Sequence, residues 1–200
     1  MIAICDYDAG NVMSVRKACA FLGHESVLTR DREQILTADH VILPGVGSFG
    51  IAMEKLCDYA LDEVLREVAG RGIPLLGICL GLQLMFEKSE ESPGVDGLGL
   101  FEGSIIRIPN QENTLKIPHM GWNSLSFPSE GKLFSSIPEG TDVYFVHSYY
   151  LPPNPFVTAV TEYGVPIGAA VAKDNIHACQ FHPEKSGKWG LKILENFLSL

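Results

Sequence analysis

Short apolar runs alternate with amphipathic stretches over the first quarter of the chain. Residues 1–5 and 40–43 are apolar runs of the length typical of buried strands, and residues 25–28 form a further short strand. Residues 12–22 place apolar side chains at helical spacing, and residues 31–37 predict a helix of one or two turns. This β-α-β-α-β order, completed within fifty residues, predicts a parallel sheet with right-handed crossover connections.

The same alternation continues to residue 86. Residues 49–70 are mostly helical by their apolar stripe, with an interruption expected near Cys57 and Asp58. Residues 74–78 are an apolar run of the kind shown by a strand that is buried on both faces. Residues 80–86 contain no proline or β-branched residue, and they predict a helix that follows that strand directly.

The second half of the chain has a different pattern. Residues 87–103 are acidic and rich in glycine, which is typical of a loop. Beyond them, turns of Pro, Gly and Asn separate short strands at residues 105–108, 122–125, 143–146, 158–162, 167–172 and 176–181, and an amphipathic helix follows at 188–200. We therefore expect one α/β domain over residues 1–200, with a mostly parallel central sheet flanked by helices and antiparallel strands added in the C-terminal half.

Composition and charge narrow the classes of function. The 200 residues are 46% hydrophobic, with a formal net charge of −9 and a pI of about 5.1. Nucleic acids and anionic membrane surfaces select basic patches, so neither is an expected partner. The first residues lack the basic segment of a secretory signal, and no apolar run approaches the roughly 20 residues of a membrane span. Five scattered cysteines in apolar contexts indicate a reduced, cytoplasmic chain without disulfides.

One cysteine stands where the predicted strand at residues 74–78 turns into a helix. Gly77, Cys79 and Gly81 form the pattern G-x-C-x-G, the cysteine counterpart of the G-x-S-x-G nucleophile elbow. A sharp turn needs small flanking residues, and a helix N-terminus favours a thiolate through its free N–H groups and its dipole. The alternative is a buried core cysteine between two packing glycines, because unpaired cysteines are commonly core residues.

A second group of reactive side chains follows the last predicted strand. His182 and Glu184 are separated by Pro183, and residues two apart in an extended chain point to the same side. Histidine is the natural general base for a thiol, and a carboxylate can fix its tautomer and stabilise the imidazolium. A surface loop could also carry this tripeptide by chance. Together with the elbow at Cys79, however, it predicts a Cys-His-Glu triad.

Zinc binding is the alternative chemistry for the same segment. His177, Cys179 and His182 lie within six residues of one another. In a strand, however, His177 and Cys179 face one side and His182 faces the other, and the sequence has no second pair of ligands at the spacing of a zinc finger. We therefore expect no metal and no other cofactor.

Seven motifs, in order along nearly the whole chain, resemble those of the class I (triad-type) glutamine amidotransferase family. They are D-Y-x-x-G-N at 6–11, L-P-G-V-G-S-F at 43–49, G-I-C-L-G-L-Q at 77–83, S-P-G at 92–94, P-H-M-G-W-N at 118–123, Y-F-V-H-S-Y at 144–149 and Q-F-H-P-E-K-S at 180–186. The resemblance implies a single-domain, flavodoxin-like amidotransferase fold. The chain departs from the family pattern at Asp8, where the family usually has glycine in a loop that faces a partner.

The resemblance implies a role for each matching residue: Cys79 as nucleophile, His182 as general base and acid, and Glu184 as the carboxylate that orients it. The oxyanion donors are expected to be the N–H of Leu80 and, from the turn at residues 44–47, that of Val46 or Gly47. Residues expected to hold the substrate are Gln83, Glu91, His147, Ser148 and Tyr149. Residues expected at a partner interface or gate are Asn11, Trp122, Asn123, Tyr144 and Lys185. Taken alone, Gln83 and Glu91 could instead be solvated positions, and Trp122 a core residue.

The reaction implied by the resemblance is release of ammonia from the side chain of L-glutamine. A chain of this size contains no domain that could use ammonia, so the resemblance implies a heterodimer with a (β/α)₈ cyclase subunit. Two alternatives remain. The chain could supply ammonia to a different synthetase, such as one for anthranilate or pyridoxal phosphate, or it could be a catalytically silent binding subunit.

Overall fold

The computed structural model describes residues 1–110 and 115–200. In the N-terminal half the elements are β1 (Ile2–Cys5), α1 (Val12–Phe21), β2 (Ser26–Thr29), α2 (Arg32–Leu36), β3 (His40–Leu43), α3 (Phe49–Asp58), α4 (Leu61–Gly70), β4 (Leu75–Ile78) and α5 (Leu80–Leu84). They are followed by β5 (Lys88–Ser89), β6 (Ser104–Arg107), β7 (His119–Ser124), β8 (Asp142–His147), β9 (Tyr149–Tyr150), β10 (Val157–Glu162), β11 (Pro166–Lys173), β12 (Ile176–Cys179) and α6 (Gly187–Leu198). Short 3₁₀ turns lie at Lys132–Phe134 and Pro183–Lys185.

The central sheet has seven strands in the order β10-β11-β12-β4-β3-β1-β2. Strands β2, β1, β3, β4 and β12 run parallel, whereas β11 and β10 add antiparallel pairs at one end. This topology confirms the prediction of a mostly parallel sheet that gains antiparallel strands from the C-terminal half. The carboxyl ends of β1, β3, β4 and β12 therefore meet at one edge of the sheet, which is where ligands of open α/β sheets bind.

Both faces of the sheet are buried, which explains the uninterrupted apolar runs in its strands. Along β1, Ile2 and Ile4 pack on one face with α1 and α6, whereas Ala3 and Cys5 pack on the other face with α2 to α5. All four side chains are 2% exposed or less. Among the residues that the structure describes, none of the helices has the length and apolar character needed to cross a membrane.

Some element ends differ from the predicted ones because tertiary contacts decide them. The helix predicted at residues 80–86 ends at Leu84, because the N–H of Leu98 donates to the Leu84 carbonyl at 2.8 Å and draws the following chain across the helix end. The predicted loop at residues 87–103 contains the short strand β5, which pairs with β6. The interruption of the long helix falls slightly later than predicted, at Ala60, whose φ of 53° separates α3 from α4.

Two imidazole rings flank Phe197 of α6. The His40 ring lies 5.3 Å and the His177 ring 6.5 Å from the Phe197 ring, measured between centroids. His177 is 2% exposed, and neither of its ring nitrogens has a hydrogen-bond partner among the described residues. Burial therefore lowers the pKa of His177 to about 4.

The free energy of unfolding is expected to fall as the pH drops from about 6.5 to about 4. In the unfolded chain His177 takes up a proton near its ordinary pKa of about 6.5, whereas the folded protein keeps the ring neutral down to about pH 4. Such a group contributes up to about 1.4 kcal/mol per pH unit within that interval. Urea unfolding at a series of pH values measures this slope, and His177→Leu is expected to make it shallower.

A matched control for this measurement is His24→Leu, because His24 is exposed. That variant is expected to keep the wild-type dependence of stability on pH. Equal slopes for the wild type and His177→Leu would contradict the role assigned to the buried ring.

Candidate active site

The cysteine of the G-x-C-x-G motif lies on a strained turn between β4 and α5. Cys79 has φ 55° and ψ −107°, a conformation that side-chain-bearing residues rarely adopt. A Cβ atom at Gly81 would overlap the carbonyl of Leu43, and one at Gly77 would lie 2.8 Å from the Gly81 carbonyl oxygen. The two glycines are therefore required by close backbone approach, and they allow β3, β4 and the start of α5 to meet at the thiol.

His182 and Glu184 form a buried pair at this edge of the sheet. His182 Nδ1 lies 2.8 Å from Glu184 Oε1, and both side chains are almost completely buried. The predicted pairing is present, but the extended chain assumed for it is not. Residues Pro183–Lys185 turn as a 3₁₀ helix, and this turn brings the carboxylate back to the ring. The same carboxylate oxygen accepts a hydrogen bond from Asn11 Nδ2 at 2.8 Å.

The other ring nitrogen of His182 is directed into the buried space that it shares with Cys79. His182 Nε2 is buried and makes no hydrogen bond within the described part of the chain. Burial lowers the pKa of His182, but the Cys79 sulfur and the Glu184 carboxylate outweigh it and raise the pKa to about 9. At neutral pH the ring is therefore an imidazolium, and a positive charge in this position favours negative charge on a neighbouring sulfur.

A cavity of about 370 Å³ opens at the thiol, within the size range of small-molecule sites. Its lining consists of Val46, Gly47, Cys79, Leu80, Gln83, Glu91, Pro118, Val146, His147, Ser148, Tyr149 and His182. All the residues predicted for the oxyanion hole and for substrate binding are in this set. A larger groove of about 950 Å³ lies beside the C-terminal helix, but no thiol or imidazole lines it. We therefore place the candidate active site at the cavity whose lining combines a thiol with imidazole groups.

The turn after β3 forms one wall of the cavity and blocks one predicted oxyanion donor. The N–H of Leu80 donates to the carbonyl of Gly45 at 3.3 Å, so in this arrangement it is not free to bind a ligand. Val46 at the tip of the turn is 39% exposed, and Gly47 has φ 98°, which favours glycine. The turn therefore covers the N–H of Leu80 with its own carbonyl.

The predicted substrate residues Gln83 and Glu91 already have partners within the protein. Gln83 Nε2 donates to the Tyr149 carbonyl and to Gln180 Oε1, at 3.0 Å each. Glu91 Oε2 accepts from the backbone N–H of Phe49 at 2.8 Å and thereby caps α3. Both side chains are thus held in place at the wall of the cavity.

Three side chains, those of Gln180, His119 and His147, make contacts that the sequence did not predict. Gln180 Nε2 lies 3.7 Å from Cys79 Sγ. His119 Nδ1 lies 3.0 Å from His147 Nε2, and His147 Nδ1 donates to the Tyr149 carbonyl at 2.9 Å. Burial lowers the pKa of His119 to about 4 and that of His147 to about 3, so both rings are neutral. The motifs at 118–123 and 180–186 contain these residues, but only the packing of β7 against β8 reveals the histidine pair.

The five residues predicted for a partner interface lie around the same end of the sheet. Trp122 of β7 is 58% exposed, and its ring lies 6.1 Å from that of Tyr144 on β8. Asn123 Nδ2 donates to the Glu162 carbonyl at 2.8 Å. Lys185 is exposed next to the triad carboxylate, and Asn11 donates to that carboxylate directly. An exposed tryptophan is a typical interface anchor.

The residues considered for zinc are separated in the structure. The His177 ring packs against Phe197, while the Cys179 thiol donates to the Phe181 carbonyl at 3.4 Å. Within residues 1–110 and 115–200, no group of three or more His, Cys, Asp or Glu side chains is placed to hold a metal ion.

Asp8, the departure from the family pattern, keeps the backbone conformation that a glycine would favour. Its φ is 65°, in the left-handed region. Its carboxylate accepts hydrogen bonds from Tyr59 at 2.6 Å and from Arg30 at 2.9 Å, which hold the pKa of Asp8 below its usual range. The Arg30 guanidinium lies 4.0 Å above the Tyr59 ring. These contacts tie the outer side of the loop at residues 6–11 to β2 and α3.

Comparisons with known proteins give one consistent family. Residues 3–200 match the family model described as glutamine amidotransferase class-I. The chain is 51% identical over 198 residues to imidazole glycerol phosphate synthase subunit HisH of Moorella thermoacetica, covering 98% of this chain and 93% of that protein. It is 46% identical over 201 residues to the protein of the same name from Methanocaldococcus jannaschii, covering 100% of both.

Solved structures share the fold at lower sequence identity. A crystal structure of a glutamine amidotransferase has a TM-score of 0.75 at 19% identity, covering 99% of this chain and 97% of that chain. A structure of PurLQS from Thermotoga maritima has a TM-score of 0.70 at 18% identity, with the same shares covered. At these identities the likeness concerns the fold alone.

Replacing the triad carboxylate is expected to slow alkylation of the thiol. Glu184→Gln removes one of the two groups that offset burial of the imidazole, so the pKa of His182 falls below about 9 and the ring loses its proton at a lower pH than in the wild type. A fall of one pKa unit lowers the protonated fraction roughly tenfold above that pKa. The rate of modification of Cys79 by iodoacetamide, followed by mass spectrometry between pH 5 and 10, measures the effect.

The exposed Cys57 is an internal control in the same samples. Its alkylation rate is expected to be identical in the wild type and in Glu184→Gln. An unchanged pH profile at Cys79 would show that the carboxylate does not control the ring.

Proposed function

Because the chain belongs to the class I glutamine amidotransferase family, we propose that it is the glutaminase subunit of imidazole glycerol phosphate synthase and supplies ammonia for histidine biosynthesis. Acting as one domain over residues 1–200, it hydrolyses L-glutamine to glutamate and ammonia. The two relatives named HisH, at 51% and 46% identity, support this assignment. The observation that carries it is the cavity in which Cys79 lies beside the His182–Glu184 pair.

The reaction proceeds through a thioester on Cys79. The thiolate attacks the side-chain amide carbon of glutamine, and the His182 imidazolium gives its proton to the nitrogen that leaves as ammonia. Water, deprotonated by the now neutral ring, then attacks the thioester and releases glutamate. Glu184, 2.8 Å from His182 Nδ1, holds the ring orientation and stabilises its charged form throughout.

The negative oxygen of the tetrahedral intermediate requires two N–H donors. One is that of Leu80, which follows the nucleophile, and the other is that of Val46 in the turn. Because the Gly45 carbonyl occupies the Leu80 N–H at 3.3 Å, the peptide between Gly45 and Val46 rotates before reaction. This rotation removes the carbonyl and presents the Val46 N–H in its place. Gly45, whose ψ changes in this rotation, has no side chain to oppose it.

The amino-acid end of glutamine is held at the part of the cavity wall that Gln83 and Glu91 form. The Glu91 carboxylate is suited to the α-ammonium group. The Gln83 amide, whose Nε2 already donates to Tyr149 and Gln180, offers only its side-chain oxygen as an acceptor. Backbone groups of His147, Ser148 and Tyr149 line the remaining side of the cavity. The substrate is therefore recognised as an amino acid as well as an amide.

Ammonia that escapes into water at neutral pH becomes ammonium and is lost as a nucleophile. The product is therefore delivered directly to a partner, the (β/α)₈ cyclase subunit, in a heterodimer. There it is added to a phosphorylated ribulosyl aminoimidazole carboxamide, which yields imidazole glycerol phosphate and an aminoimidazole carboxamide ribotide. The partner surface is formed by Asn11, Trp122, Asn123, Tyr144 and Lys185. Exposure of Trp122 at 58% supports this placement.

Cys79→Ala is expected to abolish synthesis with glutamine while synthesis with ammonium salts survives, because the substitution removes the nucleophile and leaves the cyclase intact. Both activities are measured on the complex of this chain with its cyclase subunit. Cys57→Ala, at an exposed cysteine remote from the cavity lining, is the matched control and should keep both activities.

Loss of both activities in Cys79→Ala would refute delivery of ammonia between subunits. Rescue of a histidine auxotroph by the gene tests the pathway. Rescue of an anthranilate or pyridoxal phosphate auxotroph instead would assign the chain to a different synthetase.

The isolated chain is expected to hydrolyse glutamine about 10²–10³ times more slowly than the complex, which is the usual cost of losing one oxyanion donor. The structural reason is the Gly45 carbonyl on the Leu80 N–H. Release of glutamate, measured with and without the cyclase subunit, tests this expectation. Hydrolysis by the free chain at the rate of the complex would contradict it.

A further inference from the structure

A buried tyrosine hydroxyl holds the first residue of the oxyanion turn. Tyr7 is 3% exposed, and its hydroxyl donates to the carbonyl of Pro44 at 2.6 Å. Tyr7 lies in the loop after β1, and Pro44 begins the turn after β3. Because β1 and β3 are parallel neighbours, both segments leave the sheet at the same edge. The hydrogen bond therefore joins two loops that the sheet places side by side.

The same loop also restricts the next residues of the turn. A Cβ atom at Gly45 would lie 2.6 Å from the Tyr7 hydroxyl oxygen and 2.9 Å from Leu80 Cβ, so Gly45 is enclosed on two sides. A Cβ atom at Gly10 would lie 3.0 Å from Val46 Cγ2, so the end of the loop reaches the tip of the turn. Position 45 thus accommodates only glycine, and the Tyr7 hydroxyl is the nearest of the three groups that enclose it.

Rotation of a single peptide leaves the preceding carbonyl in place. Turning the unit between Gly45 and Val46 changes ψ of Gly45 and φ of Val46, whereas the Pro44 carbonyl does not have to move. The position of that carbonyl therefore determines where the Val46 N–H arrives. Burial raises the pKa of Tyr7, so its hydroxyl keeps its proton and remains a donor at neutral pH.

We propose that Tyr7 is a positioning residue for the reaction: through the Pro44 carbonyl it fixes the stationary end of the turn, so that the Val46 N–H reaches the oxyanion. The inference rests on the proposed glutaminase function. Tyr7 does not touch the substrate, and no role in binding glutamine is assigned to it. It acts on the step in which negative charge forms on oxygen, and this separates it from residues that activate the thiol.

Tyr7→Phe tests the proposal, because it removes only the hydroxyl. In the complex with the cyclase subunit, kcat for glutamine hydrolysis is expected to fall about 10- to 100-fold, somewhat less than complete loss of an oxyanion donor. KM is expected to stay the same. The rate of Cys79 alkylation by iodoacetamide is also expected to stay the same, because substitution at a saturated carbon forms no oxyanion. Ammonia-dependent synthesis is expected to be unaffected.

Thr141→Val is the matched control. The Thr141 hydroxyl also donates to a proline carbonyl, that of Pro138, at 2.7 Å, and the residue is 6% exposed. It does not line the cavity, so its loss should change neither kcat nor the alkylation rate. Comparison of Tyr7→Phe with Thr141→Val distinguishes the specific effect of the Tyr7 hydroxyl from the general effect of losing a buried hydroxyl.

The other possible results contradict either the positioning role of Tyr7 or the proposed glutaminase function. An unchanged kcat in Tyr7→Phe overturns the positioning role, and so does a parallel fall in kcat and in the alkylation rate, which indicates general damage to the site. In both cases the wild type still hydrolyses glutamine and the proposed function stands. A wild-type complex without glutamine hydrolysis overturns the function and the inference together.

Discussion

The close approach of Gly81 to the carbonyl of Leu43 is the contact on which the site depends. It brings the start of α5 against the end of β3, and this places the Cys79 thiol of the β4–α5 elbow beside the turn that follows β3. Any side chain at Gly81 would separate the two segments. The strained backbone of Cys79, with φ 55°, is maintained because both flanking elements are buried and hydrogen-bonded. The packing of Gly81 against Leu43 thus determines where the Cys79 thiol lies.

His182 differs from the other fully buried histidines because a carboxylate lies beside its ring. His119, His147 and His177 are buried without one, and burial lowers their pKa values to about 4, 3 and 4. His182 is buried as well, yet its pKa is raised to about 9 because the Glu184 carboxylate and the Cys79 sulfur are adjacent. Desolvation acts on all four rings, so the neighbouring charges decide which ring is protonated at neutral pH and which rings are neutral.

Features governed by neighbouring residues could be predicted from the sequence, whereas those governed by distant contacts could not. The apolar runs predicted the parallel strands, and the glycines around Cys79 predicted the elbow. The early end of α5 depends on Leu98, beyond the helix, and was missed. The pairing of His182 with Glu184 was predicted, but through an extended chain instead of the 3₁₀ turn. The contact between Asn11 and Glu184 spans 173 positions, so no local pattern could indicate it.

The position of β12 in the sheet has a consequence for the order of events during synthesis. This strand is the parallel neighbour of β4, yet Gln180, which directly follows it, lies 101 positions after Cys79. On the ribosome, the cysteine therefore emerges long before the histidine and the carboxylate that the fold places beside it. A nascent chain lacks this pair next to the thiol until β12 has entered the sheet. The candidate site is thus assembled only after β12 and the turn that follows it have been synthesised.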